Sequence, residues 1–135
     1  MENKDRVLLE VKNLVKHYPI KAGVLQKTVG KVRSVDGVSF SIERGKTFGL
    51  VGESGCGKTT IGRTLIRLVE PTSGQALLNG QDIFSLNKKD LKALRPKLQM
   101  IFQDPYSSLN PRMPVGEIIG EAVREHNLVE KDRLK

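Results

Sequence analysis

Residues Gly52-Glu53-Ser54-Gly55-Cys56-Gly57-Lys58-Thr59 match the pattern G-x-x-x-x-G-K-[ST], between an apolar run and an amphipathic one. These residue types at this spacing build a cradle for phosphates. Gly52, Gly55 and Gly57 permit positive φ and let the backbone wrap a ligand with no Cβ in the way, so that successive amides point inward as a nest. Lys58 brings a mobile ammonium to the β and γ phosphates of a nucleotide. Thr59 offers a hydroxyl to Mg²⁺, a hard cation that takes oxygen ligands and bridges the same phosphates. With Glu53, Ser54, Cys56 and Thr60 completing the loop, the stretch predicts a site for a nucleoside triphosphate with Mg²⁺.

A phosphate loop needs an element on each side to hold it. Upstream, Thr47-Phe48-Gly49-Leu50-Val51 is short, apolar and β-prone, and reads as a buried strand. Downstream, Ile61, Leu65 and Leu68 recur at helical spacing through Val69. The loop is therefore expected at a helix start, where several backbone N–H groups lack intrahelical partners and the macrodipole is positive.

The composition of 135 residues, 38% hydrophobic and 28% charged, suits one globular domain with a real core. No apolar stretch approaches the roughly 20 residues of a membrane span, and Met1-Glu2-Asn3-Lys4-Asp5 has no signal-peptide core, which predicts a cytosolic chain. The one cysteine, Cys56, has no second Cys or nearby His with which to form a catalytic or metal constellation. A net charge of +8 raises nucleic acid as a partner. Yet Lys21, Lys27, Lys31 and Arg33, and Lys88, Lys89, Lys92, Arg95 and Lys97, lack the interleaved aromatics that stack bases, so solvated faces are the reading and no nucleic-acid partner is expected.

Around the loop, Leu8 to Val15 reads as a first strand, and Val35, Val38, Phe40 and Ile42 as a second extended stretch. The polar segment between them, with Pro19, Gly23 and Gly30, reads as a loop or loose hairpin. Glu70-Pro71-Thr72-Ser73-Gly74 stops the helix, and Gln75 to Leu78 leads as a strand into an Asn79-Gly80 turn. Asn87 caps a short helix carrying Leu91 and Leu94 that Pro96 ends. Leu98 to Phe102 is a second buried-strand candidate, with Gln103 at its C-terminal end, where ligands collect in open α/β sheets. Asp104 to Pro114, with three prolines, is a loop, and Val115, Ile118, Ile119, Ala122 and Val123 mark one face of a last helix.

The stretch Gly52 to Thr60, together with Gln103-Asp104-Pro105-Tyr106-Ser107-Ser108-Leu109-Asn110-Pro111-Arg112-Met113, resembles the ATP-binding subunits of ABC transporters, most closely the oligopeptide and dipeptide importer group. Val35-Asp36-Gly37-Val38-Ser39-Phe40 and Glu70-Pro71-Thr72-Ser73-Gly74 look like that group too. The resemblance implies an α/β P-loop NTPase of the ABC ATPase type, with an antiparallel β layer, an incomplete parallel core sheet and the start of a helical subdomain. Its parts would be 1–46 (β layer with insert 19–34), 47–102 (P-loop core) and 103–135 (helical subdomain). It implies that Gln103 joins Mg²⁺ and the attacking water to the membrane partner, so that Lys58 and Gln103 are the catalytic candidates and Thr59 and Gln103 the metal candidates. Tyr18 takes the place of the aromatic that stacks on adenine; from residue chemistry alone it reads as a half-buried strand-end aromatic. Loop 104–114 would receive a coupling helix of the permease, with Tyr106, Leu109 and Met113 as apolar contacts. The implied partners are permease subunits, a second ATP-binding subunit and, indirectly, an extracellular solute-binding protein, at the cytoplasmic face of a membrane.

The group usually has Ser-Thr where this chain has Thr59-Thr60, which keeps the hydroxyl. Length is the larger departure. No apolar run ends in Asp-Glu, Thr72-Ser73-Gly74-Gln75 only faintly imitates the Leu-Ser-Gly-Gly-Gln signature, and neither His17 nor His126 lies where the switch histidine belongs. The expectation is an N-terminal portion of the domain, with weak ATP binding and no turnover by itself. Two rivals stand beside it. Asn87-Lys88-Lys89-Asp90 matches the Asn-Lys-x-Asp motif of GTPases, though it follows no buried strand and no Asp-x-x-Gly is present. The other is a non-catalytic ATP-binding module.

Overall fold

The first strand, β1 (Val7–Ala22), is apolar at alternate positions, and Leu9 and Val11 are buried on one face. At Asn13 the backbone turns to φ 47°, and the pairing with β2 (Lys27–Glu43) shifts register between Val11 and Leu14. This bulge moves the inward phase by one residue, so that Leu14 is fully buried as well. The Asn13 N–H, lost to the ladder, donates to Ser39 Oγ at 2.8 Å. These strands come from a computed structural model that describes residues 6–24, 26–104, 106–126 and 129.

The chain divides into two compact units, Met1–Leu91 and Lys92–Lys135. In the first, β3 (Ser73–Leu78) pairs with β1 on the side away from β2, and β4 (Gln81–Asp82) pairs with β3, giving a four-stranded antiparallel sheet of order β2-β1-β3-β4. The expected Asn79-Gly80 turn joins the last two, with φ 50° and 81° as a two-residue hairpin requires. Gly74 lets β3 approach β1 closely: at φ 100°, a Cβ there would lie 2.5 Å from the Asn13 carbonyl oxygen and 2.8 Å from Leu14 Cα. Helix α1 (Lys58–Leu65) adds Ile61 to a core otherwise made of Leu9, Val11, Leu14, Val35, Ile66, Ala76 and Ile83. Thr64, the buried polar residue of that helix, satisfies its hydroxyl on the Thr60 carbonyl at 2.7 Å.

Asn87 caps α2 (Lys88–Leu94) as expected, its Oδ1 accepting from the Asp90 N–H at 3.0 Å while its Nδ2 donates to Asp90 Oδ2 at 2.7 Å. The Asn and Asp side chains of the Asn-Lys-x-Asp match are thus engaged in a helix cap. In the second unit, loop 104–114 is organised by short side-chain turns: Asp104 Oδ1 accepts from the Tyr106 N–H at 3.1 Å, and Asn110 Oδ1 from the Arg112 N–H at 3.0 Å. Helix α3 (Val115–Glu125) follows Pro114.

Three expectations need correction, and a fourth is narrowed to one of its alternatives. Thr47 to Val51 is not a strand, and no described strand pairs with it; Phe48 stacks on Phe40 of β2 at 4.8 Å, and Val51 is 91% exposed. Leu98 to Phe102 carries no ladder either, although Leu98, Met100 and Phe102 are half-buried while Gln99 and Ile101 are exposed, which is the period of a strand without its pairing. An apolar run becomes a strand only when a neighbour takes its N–H and C=O groups, and no described segment offers that here. The parallel part of the expected sheet is therefore not laddered among the described residues. The helix expected through Val69 ends at Leu65, because Arg67 takes φ 52°; Ile66 is buried in place of Leu68, which is exposed. The segment between Tyr18 and Val35, expected as a loop or loose hairpin, is a hairpin with pairs from His17 and Arg33 to Ala22 and Lys27 and a register shift between Ile20 and Lys21.

In α3 the expected apolar face is present in the helix, yet Val115 is 71% and Ile119 69% exposed. Across the unit, Lys92 Nζ meets Glu125 Oε1 at 2.7 Å. The Lys92 ammonium, first through this hydrogen bond and then through its charge, holds the Glu125 carboxyl below the usual range. A carboxyl with a lowered folded pKa contributes its stability above the ordinary glutamate value and loses it as pH falls through the folded one. Replacing Lys92 with methionine is accordingly expected to move the Glu125 titration, followed by carboxyl-carbon NMR, upward toward the ordinary value; an unmoved curve counts against the pairing.

Candidate functional site

The loop at 52–57 is shaped by its own lysine. Lys58 Nζ donates to the Gly52 and Glu53 carbonyl oxygens, each at 2.6 Å, and lies 3.4 Å from Cys56 Sγ. The ammonium thus sits folded within the ring of backbone that the motif predicts. Gly55 and Gly57 take φ 81° and 98°, conformations that side chains disfavour. Gly57 has a second reason to be glycine, since a Cβ there would run into the Ser34 carbonyl oxygen of β2. The loop therefore packs directly on the edge of the hairpin, a contact with no side-chain signal in the sequence.

Helix α1 opens with the Ile61 N–H donating to the Gly57 carbonyl at 2.9 Å. By helix geometry the amides of Lys58, Thr59 and Thr60 precede that first bond and have no intrahelical acceptor. Thr59 is exposed in this first turn, with Thr60 and Lys58 half-buried beside it, and Glu53, Ser54 and the free thiol of Cys56 line the exposed loop. Open amides, a cation and a helix start in one place favour a polyanion. The donor set also fits Mg²⁺: it is bound through one or two protein oxygens plus substrate phosphates, and Thr59 supplies one such oxygen. Among the described residues no cluster of three His, Cys, Asp or Glu forms another metal centre.

Tyr18 lies on the same hairpin. It pairs with Val32, two residues from Ser34; the residue is 37% exposed, and Lys16 Nζ lies 4.7 Å from its ring centroid. Lys16 Nζ is held in turn by the Glu70 carbonyl at 2.8 Å. Beside it, His17 Nε2 meets Asp36 Oδ1 at 2.9 Å, and the His17 N–H donates to Thr72 Oγ1 at 2.9 Å. The sequence reading missed Lys16, His17 and Arg67. The Arg67 guanidinium pairs with Glu70 and donates to the Leu86 carbonyl at 2.6 Å, pinning the turn after α1 to the segment beyond β4. Only long-range pairing distinguishes these residues from surface charges. Gln103 is an exposed residue of the second unit, directly after the half-buried Phe102.

A family model described as "ABC transporter" matches residues 35–134, most of the chain. The chain belongs to the ABC transporter family. Among curated relatives of this ABC transporter family chain, it is 52% identical over 122 residues to the oligopeptide transport ATP-binding protein AppF of Bacillus subtilis (strain 168), covering 90% of this chain and 37% of the relative. It is 55% identical over 116 residues to a probable peptide ABC transporter ATP-binding protein of Sinorhizobium fredii (86% and 33% covered). It is 48% identical to the glutathione import ATP-binding protein GsiA of Escherichia coli (strain K12), covering 90% of this chain and 20% of that protein. The chain thus spans a third or so, or less, of the length of these relatives. In fold it is similar to the ATP-binding cassette MJ0796, whose dimeric post-hydrolysis structure is bound to ADP and Pi, at a TM-score of 0.72 and 21% identity over 93% of this chain and 52% of that one. The fold is that of the ABC ATPase type, and the antiparallel layer expected of it is the sheet described above.

Proposed function

We propose that this chain forms the nucleotide-binding start of an ATP-binding subunit in an ABC importer of peptides or related solutes. The carrying observation is the Lys58 ammonium held inside the phosphate loop against the open N-terminus of α1. A triphosphate entering that ring draws Lys58 from the neutral Gly52 and Glu53 carbonyls to charged phosphate oxygens, while the amides of Lys58, Thr59 and Thr60 and the nest at Gly55 to Gly57 receive the remaining oxygens. Mg²⁺, held on the protein side by Thr59, supplies neutralisation of charge on the β and γ phosphates when bound. Tyr18 is the base platform, and Gln103 is the residue that reports the site to the membrane partner. The names of the relatives support peptide or glutathione as the class of solute.

Among the described residues no helix is long and apolar enough to cross a membrane, and the proposed partners are permease subunits. Their docking site is the loop 104–114 with α3, where Leu109, Met113, Ile118 and Ala122 line an open groove of about 570 Å³ and Tyr106 is 82% exposed nearby. The assembly is placed at the cytoplasmic membrane face with a second ATP-binding subunit.

Within the 135 residues no apolar run ends in Asp-Glu, so no acidic pair is at hand to polarise an attacking water. The expected result is therefore calorimetric ATP binding in the presence of Mg²⁺ but no steady-state phosphate release by this chain alone. Absence of binding heat from folded protein refutes the proposal. A phosphate-release rate that disappears in Lys58→Ala refutes the statement on turnover.

A further inference from the structure

The Tyr18 ring has one of its surroundings already fixed. Lys16 and Tyr18 are two residues apart on β1, and the Lys16 ammonium lies 4.7 Å from the ring centroid. That ammonium is not a wandering surface charge, because the Glu70 carbonyl accepts from it at 2.8 Å across 54 residues of sequence. Glu70 is itself fixed, since the Arg67 guanidinium donates to both of its carboxylate oxygens at 3.0 and 3.2 Å, and Arg67 also donates to the Leu86 carbonyl. The chain of contacts Tyr18, Lys16, Glu70 and Arg67 leads to the turn that ends α1, whose other end starts in the phosphate loop.

We propose that Lys16 is a positioning residue for the nucleotide base: its ammonium covers one face of the Tyr18 ring and leaves the opposite face as the stacking surface. The inference rests on the reading of Tyr18 as the base platform. Two physical effects follow from the arrangement. Sterically, a base can approach only the uncovered face, which sets the side and height at which it stacks relative to the phosphate loop. Electrostatically, an aromatic face is negative and repels the π-face of another ring in direct overlap. A cation behind the ring draws that density away and eases stacking in front. Lys16 acts on the base through Tyr18 and takes no part in binding phosphate.

The experiment compares ATP with inorganic tripolyphosphate, which offers the same phosphate tail and no base, by competition against a fluorescent nucleotide in the full chain. Lys16→Met is expected to weaken ATP about three- to tenfold, the range of a cation–π contact of moderate exposure. It is expected to leave tripolyphosphate within about twofold, which also certifies the fold of the loop. Lys16→Arg, whose guanidinium also stacks on aromatic faces, is expected to restore ATP affinity. Tyr18→Ala separates the two readings. If Tyr18→Ala lowers the preference for ATP over tripolyphosphate and Lys16→Met does not, the platform stands and the role of Lys16 is overturned. If Tyr18→Ala leaves the preference unchanged, the platform falls and the inference with it. Equal loss of both ligands in Lys16→Met, or failure of arginine to restore binding, makes the residue structural and overturns the proposal.

Discussion

Lys58→Ala is expected to raise the Kd of this chain for Mg²⁺ and ATP by roughly one to two orders of magnitude. A hydrogen bond to a charged group is worth about 1.5–3 kcal/mol, and about 1.4 kcal/mol is tenfold in affinity. The lysine has two tasks here. In the free loop it ties the Gly52 and Glu53 carbonyls together at 2.6 Å each, and in the proposed complex it moves to the phosphates. The substitution removes the bound-state contact and also releases the ring that waits for the ligand. Since the loop is exposed, water satisfies the released carbonyls, so the cost falls on binding and little on stability. Lys58→Arg is not expected to restore affinity, because a planar fork cannot fill the space of a compact ammonium between two carbonyls. Isothermal titration is the measurement, with thermal melting as the control. ATP and tripolyphosphate are expected to weaken alike, opposite to the pattern expected for Lys16. An unchanged Kd would remove the phosphate loop from the account.

The parts of the molecule that could be read in advance are those whose physics is local. The phosphate loop follows from glycine conformations and a lysine at fixed spacing; the Asn87 cap and the Asn79-Gly80 turn follow from side-chain and backbone preferences within four residues. Strands are different, because a strand is a relation between two segments. Thr47 to Val51 has the composition of a strand and none of the pairing, and Phe48 finds its contact on Phe40 instead. The stretches from Pro19 to Ala22 and from Lys27 to Ser34 have poor strand composition yet belong to β1 and β2, because the two strands continue as a ribbon whose ladder offsets weak local preference. Helix α1 shows the same lesson at its end. Nothing around Arg67 announces a positive φ, but its guanidinium reaches the Leu86 and Ile83 carbonyls and Glu70 at once, and that anchoring turns the chain one residue before Leu68 could be buried. In the site, the sequence pointed to Gly57 for its φ alone, whereas its contact with the Ser34 carbonyl depends on how the loop lies on β2.

That contact gives Gly57→Ala a larger expected effect than Gly55→Ala. Gly55 and Gly57 both have left-handed φ, 81° and 98°, so alanine at either carries a backbone cost of about 1–2 kcal/mol. At Gly55 nothing lies within 4 Å of the added Cβ, and the cost stops there. At Gly57 the Cβ runs into the Ser34 carbonyl oxygen, an atom of β2 backbone that cannot rotate away. Relief requires the loop and the first turn of α1 to lift from the hairpin, which draws Ile61 from the core and displaces the amides of Lys58 to Thr60 from their ligand. Overpacking of this kind typically adds a further 1–3 kcal/mol. For a unit of this size about 1 kcal/mol moves Tm by some 4–8 °C, so the added ~1–3 kcal/mol is expected to make Gly57→Ala melt about 4–24 °C lower, and bind ATP more weakly, than Gly55→Ala. Differential melting and ATP titration of the two variants side by side are the measurement. Strain from φ is common to both, so their difference reads the packing of the loop on β2; equal melting temperatures would mean that the loop does not rest on the hairpin in solution.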